Sequence, residues 1–419
     1  MKIDECNDFD IAVIGMAGVF PMADSVESFW NNLIKERDCI TRTDEKNGSY
    51  VYAYGKVENT KPFEAEAYGF TSEQEEWIDP QQKMLLQLCS DVLKKVDCES
   101  VDNNIGLFAS ADNFEYVWDK LRKEPELSAD EMSNRKSYLD ESLTARVSYA
   151  LDLRGPSVPV KNACASSLLA VHMAVQSLIN GECDLAIAGG VNLTKNQEYY
   201  DGANSLYSPT GYLRPFDKQA DGLVPGNGGG VVLLKRLSDC LEDEEIKNHI
   251  YAVIRGSAVN NDGRQKLGYQ ASSQPGEQRV MEMALETAEI AAKDVGYVEM
   301  HGTGTLFGDA MEVKAAKEVY GKCQNEKLGC GIGSVKSSVG NLNYAAGITG
   351  LIKTVLMVDN AKFVPTVHYT EASPLCELEN SGLYVVNTYS DWNEDNRVAC
   401  VHAFGEGGTN CSLVLENIQ

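Results

Sequence analysis

Cysteine is present but unorganised: 12 residues are scattered along the 419-residue chain, with no CxxC pair and no Cys/His group at zinc spacing. This argues against a structural zinc site or a disulfide framework, and in a chain this long it reads as reduced, cytosolic thiols. Histidine is scarce, with five residues at 172, 249, 301, 368 and 402. Positive charge is in the minority. Lys+Arg 37 against Asp+Glu 62 leaves −25, which argues against nucleic-acid binding and against an anionic membrane surface. No apolar run approaches the roughly 18 residues of a membrane span, and residues 1–6 lack an apolar signal-peptide core. A cytoplasmic location is expected. The strand-like run at 10–14 leads into a glycine-rich turn, but no GxGxxG follows it, so a dinucleotide site is not expected.

What the chain does have is core-forming material: 43% hydrophobic residues and 36 glycines. Extended runs fall at 104–110, 157–160, 184–190, 231–235, 251–255, 297–300, 331–335, 398–403 and 412–416. Helical patterns lie at 26–35, 79–96, 167–179, 279–292, 310–320 and 346–358, and Asp79-Pro80 is a good cap and first-turn pair. Strands alternating with helices through both halves imply a layered α/β fold. Residues 40–76 read as an irregular surface excursion and 117–137 as a mobile charged segment. No stretch is linker-like, so one compact unit is expected.

Cys164 falls between the extended residues 157–160 and the apolar helical pattern 167–179, which stops at Asn180-Gly181. A cysteine at such a junction lies near the positive end of the helix dipole, where a thiolate is favoured. A thiolate there can attack an acyl carbonyl while neighbouring backbone N–H groups bind the oxyanion. A buried packing cysteine is the plain alternative.

Five further segments give Cys164 its context. They are Asp79-Pro80-Gln81-Gln82; Arg214-Pro215-Phe216-Asp217 with Ala220-Asp221-Gly222; His301-Gly302-Thr303-Gly304-Thr305 with Gly308-Asp309; Ser334-Val335-Lys336-Ser337 with Ala345-Ala346-Gly347; and Phe404-Gly405-Glu406-Gly407-Gly408-Thr409-Asn410. In order and spacing they resemble the β-ketoacyl synthases, and in particular the ketosynthase domains of modular polyketide synthases. The resemblance implies the thiolase fold: two similar α/β halves in a five-layered αβαβα arrangement, usually homodimeric, with the site between the halves. The expected halves are approximately 1–240, carrying Cys164, and 241–419, carrying His301 and Asn341. It implies an acyl carrier protein as partner, bearing the phosphopantetheine arm, alongside other polyketide synthase domains. It implies no bound cofactor or metal.

By the same resemblance Cys164 matches the nucleophile and His301 the first of two catalytic histidines. Thr303 and Thr305 match positions that contact the pantetheine arm, and Phe404 and Glu406 are further expected substrate-binding residues. Lys336 matches a site lysine, expected to pair with Glu312 and support the His301 region. The segments at Cys164 and around Phe404 and Glu406 match those that supply oxyanion N–H groups. The second histidine is missing: the family usually reads K-S-N-I-G-H where this chain has Lys336-Ser337-Ser338-Val339-Gly340-Asn341. An amide can donate a hydrogen bond there, but it cannot take up or deliver a proton near neutral pH. Lys161-Asn162, Asn227 and Glu406 also depart from the usual residues. A carboxylate at 406 would repel a malonyl carboxylate if it faced the site.

Three functions follow. The first is a non-elongating ketosynthase that moves an acyl chain through Cys164. The second is a condensing enzyme with a Cys164-His301-Asn341 set, and the third is a catalytically silent partner protein resembling a chain-length factor. His402 is a candidate replacement imidazole, or a plain strand residue. His172 is expected to pack or cap a neighbour, and His249 and His368 to lie on the surface or in loops.

Overall fold

A computed structural model describes residues 7, 9–45, 47–58, 62–96, 103–123, 128–139, 142–204, 206–247, 249–321 and 329–419. Its centre is an eleven-stranded sheet. In chain order the strands are β1 (Ile11–Val19), β2 (Ile105–Ser110), β3 (Ser157–Pro159), β4 (Leu185–Asn192), β5 (Gly228–Arg236), β6 (Ala252–Asn261), β7 (Val295–Glu299), β8 (Cys330–Gly333), β9 (Leu383–Val385), β10 (Val398–Phe404) and β11 (Thr409–Glu416). Across the sheet they run β9-β8-β7-β10-β11-β6-β1-β5-β4-β2-β3. The helices that flank it include α1 (Pro80–Lys95), α2 (Leu143–Leu151), α3 (Ser166–Ile179), α4 (Gln274–Ala288), α5 (Leu306–Val319) and α6 (Ala346–Asn360).

The two halves repeat one topology. Outward from the centre, β1 pairs antiparallel with β5, β5 antiparallel with β4, β4 parallel with β2, and β2 parallel with β3. On the other side β6, β11, β10, β7 and β8 repeat that order and those directions, and β9 adds one more parallel edge strand. The halves meet where β1 and β6 pair antiparallel, Ile11 opposite Ile254.

Period-two alternation assigns the faces. In β4, Ala186 and Ala188 face a central core, while Leu185 and Ile187 face an outer one. In β10, Ala399, Val401 and Ala403 face the centre, and Val398, Cys400 and Phe404 the other outer core. Helices α3 and α6 fill the central layer, and residues 346–358 of α6 are all buried, as a helix apolar on every face requires. Helices α1 and α2 cover one outer face, α4 and α5 the other. The result is the expected five layers.

Some local expectations change. The glycines after residue 14 do not form a turn; β1 runs on to Val19, and a Cβ on Gly15 would meet Val92 of α1 at 3.0 Å. Glycine there lets the helix approach the strand closely. The charged stretch 117–137 contains helices Glu115–Lys123 and Ala129–Lys136, with residues 124–127 outside the described residues. Val117 and Leu121, one turn apart, are buried with Phe114, an anchor hidden among the charges. The 40–76 excursion is partly internal: Ile40 and Ala53 pack with Tyr200, Leu213, Leu223 and Val224 in a satellite core.

Candidate active site

The turn before α3 holds Cys164. Ala163 adopts φ 47°, a left-handed conformation uncommon outside glycine, asparagine and aspartate. The Ser166 hydroxyl staples the turn, accepting from Asn162 N–H at 2.6 Å and donating to the Ala163 carbonyl at 2.6 Å. This presents a half-buried Cys164 one residue ahead of the Ala165 N-cap, and that cap has no side-chain hydrogen bond. The sulfur meets two amides. Its S–H donates to Asn343 Oδ1 at 3.4 Å, and Asn341 Nδ2 donates to Sγ at 3.7 Å.

Burial pushes the Cys164 thiol above its ordinary range; the Lys336 charge and the Asn341 amide pull it back, and Glu406 pushes it up again. Desolvation prevails, so the thiolate expected from the helix end is not the resting form.

His301 lies just past the end of β7, where the chain turns through Gly302 (φ 37°) and Gly304 (φ 73°). Two buried carboxylates hold that turn. Glu312 accepts from His301 N–H at 2.5 Å and Gly302 N–H at 2.8 Å, and Asp309 accepts from Gly304 N–H at 3.1 Å and Phe216 N–H at 2.8 Å. Burial raises Glu312 to about 8 and Asp309 to about 7. Lys336 is buried and donates to the His301 carbonyl. The expected direct Lys336–Glu312 pair is therefore replaced: among the described residues the two grip the His301 backbone separately. Both Glu312 oxygens are taken by N–H groups, so the ammonium finds the carbonyl instead.

Burial, with the Lys336 charge, holds the His301 imidazole well below its usual range, so it is neutral near neutral pH. Phe404 N–H donates to Nδ1 at 3.5 Å, which makes Nδ1 the acceptor and leaves the ring proton on Nε2. The Thr303 and Thr305 hydroxyls lie 2.9 Å apart at the start of α5. The turn after β10 presses on the Cys164 turn: a Cβ on Gly405 would come within 2.4 Å of the Asn162 carbonyl, and Thr409 Oγ1 donates to Asn162 Oδ1 at 3.0 Å. Glu406 is exposed and accepts from Gln270 Nε2 at 2.7 Å.

Residues 8–240 match the family model of the beta-ketoacyl synthase N-terminal domain, and residues 251–370 that of the beta-ketoacyl synthase C-terminal domain. The chain belongs to the β-ketoacyl synthase family. A phenolphthiocerol/phthiocerol polyketide synthase of Mycobacterium tuberculosis is 37% identical, the alignment covering 97% of this ketosynthase but 29% of that protein. Polyketide synthase PksL of Bacillus subtilis is 34% identical over 97% of this chain and 10% of its own length. This ketosynthase thus spans less than a third of these polyketide synthases. Among solved structures, ketosynthase twelve of the bacillaene polyketide synthase of Bacillus amyloliquefaciens superposes with TM-score 0.91 at 29% identity, covering 98% of this chain and 76% of that one. The ketosynthase from module 1 of the bacillaene synthase of the same organism gives 0.89 at 32% identity, with coverage of 98% and 76%. The chain is a ketosynthase of the polyketide synthase kind.

Three residues of this ketosynthase site escaped sequence reasoning. Asn343 touches the Cys164 sulfur. Glu299 and Lys353 form a buried pair at 2.8 Å, and the other Glu299 oxygen accepts from Val335 N–H at 2.6 Å beside Lys336. Lys353 had a readable signal, as the one charged residue in the otherwise uncharged run 346–358. His402 stacks on Phe404 in the outer core, with Nε2 3.2 Å from the Tyr320 hydroxyl and its pKa held down to about 3 by burial, so it is no substitute imidazole at Cys164. His172 hydrogen-bonds Ser257 at 2.9 Å, and His368 pairs with Asp38 at 2.8 Å in a half-buried contact. Asn227 is fully buried and clamps Thr194 and Asn192. Among the described residues no helix is long and apolar enough to cross a membrane.

Proposed function

We propose that this ketosynthase accepts an acyl chain from an acyl carrier protein as a thioester on Cys164 and passes it on without efficient decarboxylative condensation. The observation that carries this reading is the pair of amides, Asn341 and Asn343, as the hydrogen-bond partners of the Cys164 sulfur, where the family pattern places an imidazole at position 341. In acylation, Sγ attacks the thioester carbonyl, the new S–C bond forms and the carrier's C–S bond breaks. The thiol proton leaves Sγ and ends on the departing pantetheine sulfur. Such a step asks for a nucleophile at a helix N-terminus and backbone donors for the oxyanion. It does not ask for a second proton-handling ring. Decarboxylation of a malonyl thioester asks for more, because an enolate must be stabilised and protons moved. The carrier, the phosphopantetheine arm, other polyketide synthase domains and a homodimeric assembly belong to this same proposal.

A second reading draws on the same geometry. Asn341 Nδ2 faces the sulfur, and His301 keeps a proton on Nε2, which together are donors suited to an enolate oxygen. A Cys164-His301-Asn341 condensing enzyme would use them in that way. Intact-mass analysis separates the readings. Acyl-carrier should add one acyl mass to the protein, absent in Cys164→Ala, and later malonyl-carrier should give little or no β-ketoacyl product. Acylation undiminished in Cys164→Ala overturns the assignment, and ready product formation favours the second reading.

A further inference from the structure

We infer that Asn343 sets the resting state of Cys164 ahead of acyl transfer: its side-chain oxygen accepts the Cys164 S–H, favours the protonated sulfur and fixes where the thiol proton lies before attack. The inference rests on Cys164 being the acylated residue. The sulfur has one proton to give and lone pairs to offer, and both are assigned. Asn343 Oδ1 takes the proton at 3.4 Å, and Asn341 Nδ2 meets a lone pair at 3.7 Å. The two amides are also coupled. Asn343 N–H donates to Asn341 Oδ1 at 3.3 Å, which fixes the amide orientation and leaves Asn341 Nδ2 for the sulfur.

Asn343 holds this position with φ 44°, a left-handed conformation that asparagine tolerates better than most residues. The short helical turn Asn343–Ala345 follows at once, and Ala345 N–H closes on the Leu342 carbonyl at 2.8 Å. The side chain is therefore aimed by its backbone. An amide oxygen is not a base at neutral pH, so Asn343 does not remove the proton; it holds the S–H in one direction and leaves the sulfur's remaining face to the acyl carbon. The proton then leaves for the departing pantetheine sulfur as the S–C bond forms.

A hydrogen bond from S–H stabilises the neutral thiol, so losing the acceptor must lower the pH at which Cys164 ionises. A carboxylate in the same place accepts more strongly and repels the thiolate, so it must raise that pH. The test is the pH dependence of Cys164 alkylation by iodoacetamide, read on the Cys164 peptide. Asn343→Gly removes the acceptor while accepting positive φ without strain, and Asn343→Asp is nearly isosteric. The midpoint should fall by about half to one pH unit in Asn343→Gly and rise in Asn343→Asp. General loosening of the turn would move both variants the same way, so opposite signs are required. A shared direction, or an unchanged midpoint in either variant, overturns the inference. If the glycine variant does not fold, Asn343→Ala removes the same acceptor and is judged by the same rule. Failure of acyl-carrier to acylate the unaltered protein would overturn the acylation reading instead, a separate outcome from the alkylation midpoints.

Discussion

Glu312 holds the backbone of His301 rather than its ring, taking the His301 N–H at 2.5 Å and the next N–H, at Gly302, at 2.8 Å. Lys336 takes the His301 carbonyl. The imidazole is thus fixed through its main chain, and its neutral state follows from burial together with the Lys336 charge.

This arrangement has a pH signature. Glu312 rises from 4.5 to about 8 and Asp309 from 3.8 to about 7, so the folded protein binds both protons more tightly than the unfolded chain does. The stability they contribute is fully present below the unfolded values and is lost as pH rises through about 8. The two carboxyls interact and titrate as a pair. The melting temperature should therefore fall between pH 6 and pH 9, and fall less steeply in an Asp309→Asn/Glu312→Gln double variant. Calorimetry showing the same slope in both proteins would place the pH dependence elsewhere.

Beneath the turn, Glu299 and Lys353 are almost fully buried and Tyr297 hydrogen-bonds the pair. Removing one partner strands a charge in the core, so Lys353→Met should cost about 3–5 kcal/mol in denaturant unfolding. Adding Glu299→Gln should recover part of that loss. Additive losses in the double variant would mean that the two side chains are not energetically coupled.

These particulars show what the sequence reveals and what it hides. Periodicity located most of the long strands and helices, because each has one face or both in a core. It missed β9, three residues long between loops, and the continuation of β1 through its glycines, where helix packing overrides strand propensity. Cys164 and His301 were legible because ordered blocks surround them. Asn343 was not: one polar residue in a short loop carries no periodic signal, and its role depends on a backbone angle. Lys336 and Glu312 were expected to pair with each other, whereas each binds the His301 main chain, and side-chain identities do not disclose main-chain partners.

Gly405 tests the contact between the two turns. A Cβ there would lie 2.4 Å from the Asn162 backbone carbonyl, so Gly405→Ala must push the β10–β11 turn away from Cys164. If that turn supplies an oxyanion donor, its displacement should slow Cys164 acylation by about 10²–10³-fold, while alkylation by iodoacetamide, which builds no oxyanion, changes little. Equal losses in both reactions would point to a disturbed thiol instead.

Asn341 decides between acyl transfer and condensation. Its Nδ2 reaches the sulfur at 3.7 Å because its Oδ1 is held by Asn343 N–H, and its backbone is anchored on the 224–226 segment by bonds at 2.8 and 3.0 Å. A ring introduced here is carried to the same place by an unchanged backbone. Proton handling by a positioned imidazole is typically worth ~10²–10⁴ in rate, so Asn341→His should raise CO2 release from malonyl-carrier measurably above the unaltered protein. The drifted Glu406 is a smaller obstacle than its identity suggests, since it is exposed and bound to Gln270. Combining Asn341→His with Glu406→Ala should therefore add little. A large further gain from the second change would mean that the carboxylate does repel the malonyl group. β-Ketoacyl-carrier made by the unaltered protein at roughly 1 s⁻¹ or more would end the non-elongating reading. Asn341 would then be an enolate donor in a working Cys164-His301-Asn341 set, and the same histidine substitution would lower the rate.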